Sequence, residues 1–493
     1  MGTLALPSSS AEKLAVHDKF VLELAKEVTM EETPASGSDV SSVESSLEKA
    51  EDPWAGFQDD ILPDKANGKK VRFLRHQVFT LYRKLFSVVF LVNMAIFIWL
   101  VVKGTNALEV AGITVANLFV SILHRQDYVI NAYYWIFTRV PLSTPFWVRA
   151  AAARVYHIGG LHSGAGVSGT IWIIAYAGQA TKEFAHRQGT ITIPTLVITY
   201  CIMVLLIGII AFAHPDLRLK YHDSFEMTHR FMGWTAVGLV WALIVLLTND
   251  YRAPEVPLGR ALIHSPYFWL IVVFTRMLIS FSIDQSTEAY KLIAAILSSH
   301  CVRLYFDYAS PVPGSFARVS TAPLTEWHSF ATIALPEKKG FSMIVSRAGD
   351  WTSKIIGNPP SEIWVRGIPT WGMISVAGLF HKVLFVATGS GIAPICPWLF
   401  SIKVPFRLLW TSPNVRQTFG DSLVDAIFEA SPDSVIYDTR IHGKPDMVKL
   451  VYKIAKDFQP EAICVISNEK LTRKIVYGMV SRDIPAFGPI WDS

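Results

Sequence analysis

Charge is scarce in this sequence: Asp, Glu, Lys and Arg make up 17% of its 493 residues, against 51% hydrophobic residues. A chain so apolar is not expected to be wholly soluble, and its length is too great for one ordinary domain. Cysteine is scarcer still. Only Cys201, Cys301, Cys396 and Cys464 occur, and none stands in a CxxC spacing, which argues against a disulfide framework or a structural zinc site. There is no basic patch interleaved with aromatics. The net charge of +5 comes from Lys and Arg beside apolar stretches, so membrane lipids are the expected partner and nucleic acid is not. No short apolar stretch follows a basic start, so no cleavable leader is predicted, and Leu6 breaks the myristoylation pattern after Gly2.

What the chain does have falls into four parts. Residues 1–70 are rich in Ser, Glu, Ala and Asp without a sustained apolar period, and are expected to form a disordered tail on the cytosolic side. Lys69, Lys70, Arg72, Arg75, Arg83 and Lys84 then precede an apolar run from Leu85 to Val102, a span with a basic inner flank. Five more stretches, near 113–137, 155–178, 192–213, 229–248 and 265–283, are long enough to cross a hydrocarbon core of about 30 Å. Residues 71–284 are therefore expected to form a six-span helical bundle. Arg139, Arg149, Arg154, Arg218 and Lys220 lie in the loops on the same side as both termini, which predicts cytosolic N- and C-termini and a multi-pass protein, with the plasma membrane as the expected membrane.

Past residue 285 the texture changes to short β-branched and aromatic strands, Val302–Phe306, Phe316–Ser320 and Phe341–Ser346, as in a small antiparallel barrel. From residue 379 a strand, glycine turn, helix pattern follows, with strands at 382–387, 406–411 and 462–466, which predicts a doubly wound α/β domain. Its strongest local signal is Thr388-Gly389-Ser390-Gly391 followed by Pro394. Glycines let backbone approach a pyrophosphate, and the helix that follows supplies N–H donors.

Several motifs in order carry a resemblance. Glu326-Trp327-His328-Ser329-Phe330-Ala331, Ser346-Arg347-Ala348-Gly349-Asp350-Trp351-Thr352, Gly443-Lys444-Pro445-Asp446 and the terminal Phe487-Gly488-Pro489-Ile490-Trp491 resemble the FAD and nucleotide motifs of the ferric reductase and NADPH oxidase superfamily. Within it the chain looks like the fungal transmembrane flavoproteins of the Tmp type, which influence conidiation and cellular redox state; one branch of these carries the same module after an adenylation domain. The resemblance implies an FAD-binding β-barrel over 285–378 and a ferredoxin-reductase-type NAD(P)-binding domain over 379–493. It assigns FAD to Trp327, His328, Ser329, Phe330, Arg347, Trp351, Thr352, Ser353 and Trp491. NADPH, or NADH, falls to Thr388, Gly389, Ser390, Gly391, Pro394, Lys444 and Asp446. Ser412, Arg416 and Arg473 are candidates for a 2′-phosphate contact, with surface solvation the more common role for such residues. The implied activity is an FAD-dependent oxidoreductase that takes electrons from NAD(P)H and passes them to an unidentified acceptor in redox signalling. Departures are Ser329 for the family's Pro, Ala331 for its Thr or Ser, and Ile466-Ser467-Asn468-Glu469 where a Cys-Gly pair is expected.

Two alternatives stay open: a flavin- and nucleotide-binding membrane sensor without turnover, and a heme-containing transmembrane electron transporter. The second turns on histidines. Family members with two hemes carry, on each of two spans, a His pair separated by about 20 Å of helix rise. Here His157 and His162 open one such span, and His222 and His229 the other. Their partners fourteen residues on are missing, with Ile171 beyond His157, Tyr176 beyond His162 and Leu243 beyond His229. One inner heme between one His of each pair is the most these residues allow, and no other metal is expected. His124 is expected to be hydrogen-bonded inside the bundle.

Overall fold

The computed structural model describes residues 57–186, 191–283, 288–334, 339–401 and 404–490. By contact they divide into two compact units, one built from residues up to 76, 134–156 and 288–489, the other from 77–133, 157–287 and the last residues of the chain.

The second unit is helical. Its main elements are α1 (Leu81–Lys103), α2 (Ala107–Leu123), α3 (Asp127–Phe137, whose last turns join the first unit), α5 (Gly159–Ala185), α6 (Ile193–Phe212), α7 (His222–Tyr251), α8 (Leu258–His264) and α9 (Pro266–Ile283); α4 (Phe146–Ala152) belongs to the first unit. Thr80 and Asn106 cap α1 and α2 with their side-chain oxygens. Among the described residues three helices are long and apolar enough to cross a membrane, Leu81–Lys103, Ile193–Phe212 and Ser224–Tyr251, or up to five if each bent pair counts as one span. The expected span 113–137 is such a pair, α2 and α3 meeting at 67° where His124, Arg125 and Gln126 interrupt the apolar run. The helix over the expected span 155–178 runs 27 residues, but its Gly and polar content keeps it out of that set.

That glycine content has a packing cause. A Cβ on Gly160 would lie 2.2 Å from the carbonyl oxygen of Tyr82, and one on Gly164 2.9 Å from that of Phe86. One face of α5 therefore lets the backbone of α1 approach it directly, as small residues four apart do between helices. Asn93 Oδ1 accepts from Asn117 Nδ2 and from Trp172 Nε1, both at 2.8 Å, so that α1, α2 and α5 share one satisfied polar node in an apolar interior.

The first unit holds thirteen described strands in three sheets. Strands β1 (Glu288–Lys291), β8 (Glu362–Trp371), β4 (Ser315–Ser320) and β5 (His328–Ala331) form one antiparallel sheet in that order; β2 (Ile293–Ser298), β3 (Cys301–Phe306), β7 (Phe341–Ser346) and β6 (Ile333–Ala334) form another. The expected barrel is thus two four-stranded sheets, around a core of Val302, Leu304, Val319, Phe341, Met343 and Val365. The third sheet is parallel, in the order β11 (Val435–Asp438), β10 (Phe406–Ser412), β9 (Val383–Thr388), β12 (Ala462–Ile466) and β13 (Ala486–Phe487). Strand β9 is central and buried from Val383 to Ala387, which is why it reads as an unbroken apolar run. The connections reverse direction at β9, whose C-terminal end is therefore a switch point of a doubly wound fold.

Residues 57–70, read from the sequence as part of a tail, pack here on the parallel sheet's helices. Phe57 is 1% exposed, in the cluster of Leu450, Val451 and Ile454 of α14 (Met447–Phe458) and Met479 of α15 (Glu469–Val480). Residues 1–56 lie outside the described residues.

Candidate functional site

Strand β5 alternates. His328 and Phe330 turn to one face, where both rings meet Trp351 at the start of α10 (Asp350–Gly357), with centroids 4.0 Å and 5.8 Å away and planes within 24° of parallel. Ser329, between them, is exposed and lies opposite Arg318, away from that stack, as a period of two requires. Thr321 accepts from Trp351 Nε1 at 3.2 Å and donates to Glu326 at 2.9 Å, and Glu326 Oε2 lies 3.4 Å from His328 Nε2. Trp327 donates to the Pro323 carbonyl at 2.8 Å and lies under Arg366.

Thr352 closes the turn before α10: its hydroxyl oxygen accepts from the N–H groups of Ala348 and Gly349 at 2.8 and 3.0 Å. The Ser353 N–H starts the helix ladder on the Gly349 carbonyl. Arg347 donates twice to the Ser299 carbonyl, at 2.8 and 3.2 Å. It pins the turn joining β2 and β3. A Cβ on Gly349 would enter open space, so the backbone at the mouth of α10 is open to an anionic ligand. The aromatic stack and this turn fit a flavin nucleotide: rings to cover an isoalloxazine or adenine face, and bare backbone for a pyrophosphate. Trp491 lies outside the described residues.

The second half of the site is the C-terminal edge of the parallel sheet. Gly389 has a φ of +52°, left-handed backbone that glycine adopts without strain, and a Cβ there would again meet nothing. Its carbonyl accepts from Trp410 Nε1 at 2.9 Å. At Gly391 the constraint is crowding, since a Cβ would lie 2.5 Å from the Ile466 carbonyl oxygen. The Thr388 and Ser467 hydroxyls meet at 2.5 Å, tying together the ends of β9 and β12. The residue standing in for the expected cysteine is therefore a hydroxyl bonded into the turn. A 3-10 turn, Gly389–Ile392, follows, and the next helix, Cys396–Ser401, begins two residues after Pro394.

Gly443, with φ +74°, and exposed Lys444 precede Asp446, whose carboxylate caps α14 on the Val448 N–H at 2.9 Å and lies 3.8 Å from Lys474. Asp438, at the end of β11, accepts from the N–H groups of Asn414, Val415 and Arg440 and holds this loop to the previous one. Of the candidate 2′-phosphate residues, Arg416 bridges Asp421 and Asp425 at 3.0 and 2.8 Å, Arg473 pairs with Glu469, and Ser412 is buried. The carboxylates beside Arg416 raise its pKa.

One feature of this unit had no sequence signal. Arg149 of α4, 5% exposed, makes a bidentate ion pair with Glu461 just before β12 and donates to the Leu379 carbonyl at 2.8 Å. Tyr134 faces Trp371, and Phe146 faces Phe380. The segment between two expected spans thus folds as part of the sheet-bearing unit. Arg149 hydrogen bonding holds the Glu461 carboxyl below the usual range.

In the helical unit the histidines separate. His124 is bonded to the Val120 carbonyl and to the Tyr133 hydroxyl, at 2.7 and 3.1 Å, as expected. His222 is exposed at the start of α7, and His157 closes a 3-10 turn. His162 and His229 face each other across α5 and α7 with ring centroids 6.3 Å apart, and His162 Nδ1 lies 2.8 Å from the Ser121 carbonyl. Among the described residues no three His, Cys, Asp or Glu side chains are grouped to hold a metal ion.

Known proteins are similar to parts of this chain. Residues 373–493 match the model of the adenylate-forming reductase 03009 C-terminal domain. The chain is 52% identical over 459 residues to adenylate-forming reductase 03009 of Coprinopsis cinerea, covering 92% of this chain and 44% of that protein, so it spans less than half the length of this curated relative. Over 126 residues, 22% of this chain and 21% of the other, it is 32% identical to NADPH oxidase 3 of Rattus norvegicus. A ferredoxin NADP+ reductase from Neisseria gonorrhoeae, solved with bound FAD and NADP, superposes with a TM-score of 0.33 at 12% identity, over 42% of this chain and 100% of that one.

Proposed function

We propose that this chain is a membrane-embedded, FAD-dependent oxidoreductase that takes electrons from NADPH or NADH on the cytosolic side and passes them to an acceptor at or in the membrane. The observation that carries the reading is that one compact unit holds both halves of the chemistry: the His328–Trp351 stack beside the α10 turn, and the Gly389–Gly391 turn at the switch point of the parallel sheet. FAD, when bound, supplies the step from a two-electron donor to its acceptor. His328, Phe330 and Trp351 would cover its rings and exclude water. Thr352 and Gly349 would shape the backbone toward its pyrophosphate, with Trp327 and Ser353 supporting that turn. Thr388, Gly389, Ser390, Gly391 and Pro394 would hold the nicotinamide nucleotide, and Lys444 and Asp446 would line its far side. The shared features with an NADPH oxidase favour NADPH. The six-span count, the plasma membrane, the cytosolic termini, the FAD and NAD(P) domain limits at 285, 379 and 493, and a role in redox signalling and conidiation belong to the same proposal. Basic loops and the Tmp resemblance support it.

A second reading adds one heme. His162 and His229, whose ring centroids stand 6.3 Å apart, are the residues that would hold it. A ligand histidine turns its other nitrogen to a carbonyl or carboxylate, as His162 does to Ser121. Such a heme, when bound, would supply a one-electron relay. Leu243, buried in the bundle core, occupies the place where a second ligand would be needed.

An absorbance spectrum of the detergent-purified chain, before and after anaerobic NADPH, tests both. The proposal expects a flavin band that bleaches; a flavin that stays oxidised would support a sensor without turnover, and no flavin would sink the reading. A Soret band lost in His229→Ala would establish the heme, and its absence from the wild type would remove the second reading.

A further inference from the structure

The Gly443–Asp446 loop is short, exposed and far from the central strand in sequence, so something must hold it in shape for a nucleotide to find it formed. Its support starts at Tyr437 on β11, 1% exposed, whose hydroxyl donates to the His442 carbonyl at 3.0 Å and whose ring lies 5.2 Å from that of His442. Phe57 meets the Tyr437 ring edge to face, at 6.1 Å and 84°, and enters the same core cluster as Met447, the first residue of α14. The chain beyond Phe57 is fastened as well. Arg482 donates to the Pro63 carbonyl and the Ala66 N–H to the Ser481 carbonyl, both at 2.8 Å, and Lys65 lies over the Tyr477 ring. Residues 57–66 thus form a strap over α14 and the end of α15, with one aromatic plug wedged where β11, the loop and α14 join.

We infer that Phe57 is a positioning residue for nucleotide binding: seated against Tyr437, it holds the His442–Asp446 loop in its binding shape, so that docking of the N-terminal strap sets nucleotide affinity. The inference rests on the reading of Lys444 and Asp446 as nucleotide contacts. Phe57 lies under the loop, and its effect passes through Tyr437 and His442. A loop formed only part of the time weakens apparent affinity by the fraction formed, and leaves later steps unchanged.

Two measurements on the full chain in detergent separate the inference from its premise. The first needs no nucleotide: in Phe57→Ala, tryptic cleavage after exposed Arg440 should speed up several-fold, and Phe57→Leu should restore much of the protection. The second is NADP+ affinity. Phe57→Ala and the gentler Tyr437→Phe should both raise the Kd, by about tenfold for the first, with FAD content and the rate of flavin reduction at saturating NADPH held. Unchanged cleavage and unchanged Kd in both variants would overturn the inference, as would an equal fall in flavin content, maximal rate and affinity. Faster cleavage with an unchanged Kd would leave the strap holding the loop and remove the loop from the nucleotide site, which overturns the inference through its premise. A wild type that binds no NADP+ overturns the reading of the whole nucleotide site, and the inference with it.

Discussion

Arg149 and Glu461, 312 residues apart in the chain, close a two-pronged ion pair at 2.6 and 2.9 Å within one folded unit. The arginine is 5% exposed and the glutamate 23%, and Glu461 also accepts from the His381 N–H at 2.6 Å. Removing one partner of a pair this buried leaves an uncompensated charge. Arg149→Ala is therefore expected to cost about 3 kcal/mol, read as a drop in the melting temperature of the sheet-bearing unit. Glu461→Gln should cost less, because the amide still accepts from His381. No loss in either variant would show that the pair contributes nothing to stability.

The same pair sets a pH dependence. The Glu461 carboxyl titrates below its ordinary value of 4.5, so its contribution is fully present above that value and is lost as pH falls through the lower folded value. Melting curves of wild type and Glu461→Gln should therefore converge below pH 4.5 and separate above it. Parallel curves across that window would contradict the assignment.

Trp351 joins His328 and Phe330 in one stack, so Trp351→Ala should weaken FAD retention by about tenfold, the equivalent of one lost aromatic pair. The flavin-to-protein ratio after gel filtration measures it. Trp351→Phe should keep most of the flavin; equal loss in both variants would point to the indole N–H, bonded to Thr321, as the contributing group.

Gly391→Ala forces a methyl against the Ile466 carbonyl at 2.5 Å, and the turn must move. The outcome expected is at least about tenfold weaker NADP+ binding with normal FAD content. Titration of both ligands on the same sample checks the split, and loss of both would mean that the two halves of the site are not separable.

Burial pushes the thiols of Cys301, Cys396 and Cys464 up to about 11, 12 and 12. A thiol so protonated is a poor nucleophile, and none of the three should be alkylated by iodoacetamide at neutral pH until the chain is denatured. Mass spectrometry of the native sample would expose any exception.

Much of this was legible in the sequence where local pattern decides structure. Strands at Val302–Phe306, Phe341–Ser346 and 462–466 were readable because buried strands are apolar and β-branched, and the Gly389–Gly391 turn because only glycine suits its φ and its crowding. Ser467 shows the limit. The missing cysteine was visible, but the replacement's hydroxyl bond to Thr388 depends on a register between β9 and β12 that no local signal encodes. Phe57 was hidden for the opposite reason, being one aromatic in a segment whose average composition is that of a tail. After Leu123 the polar interruption at Arg125 and Asp127 is visible in the sequence, but an apolar count over 113–137 does not say that the chain bends there by 67°.

Because the sheet-bearing unit is assembled from three separated stretches, 57–76, 134–156 and 288–489, its order of synthesis differs from its order of completion. Phe57 and Arg149 leave the ribosome hundreds of residues before Tyr437 and Glu461 exist to receive them. The strap and the α4 segment must wait, unpaired, while the intervening helices are made. A C-terminal fragment starting near residue 285 would arrive with Glu461, Phe380 and the Tyr437 pocket uncovered, and coexpression of the N-terminal half is the way to supply what it lacks.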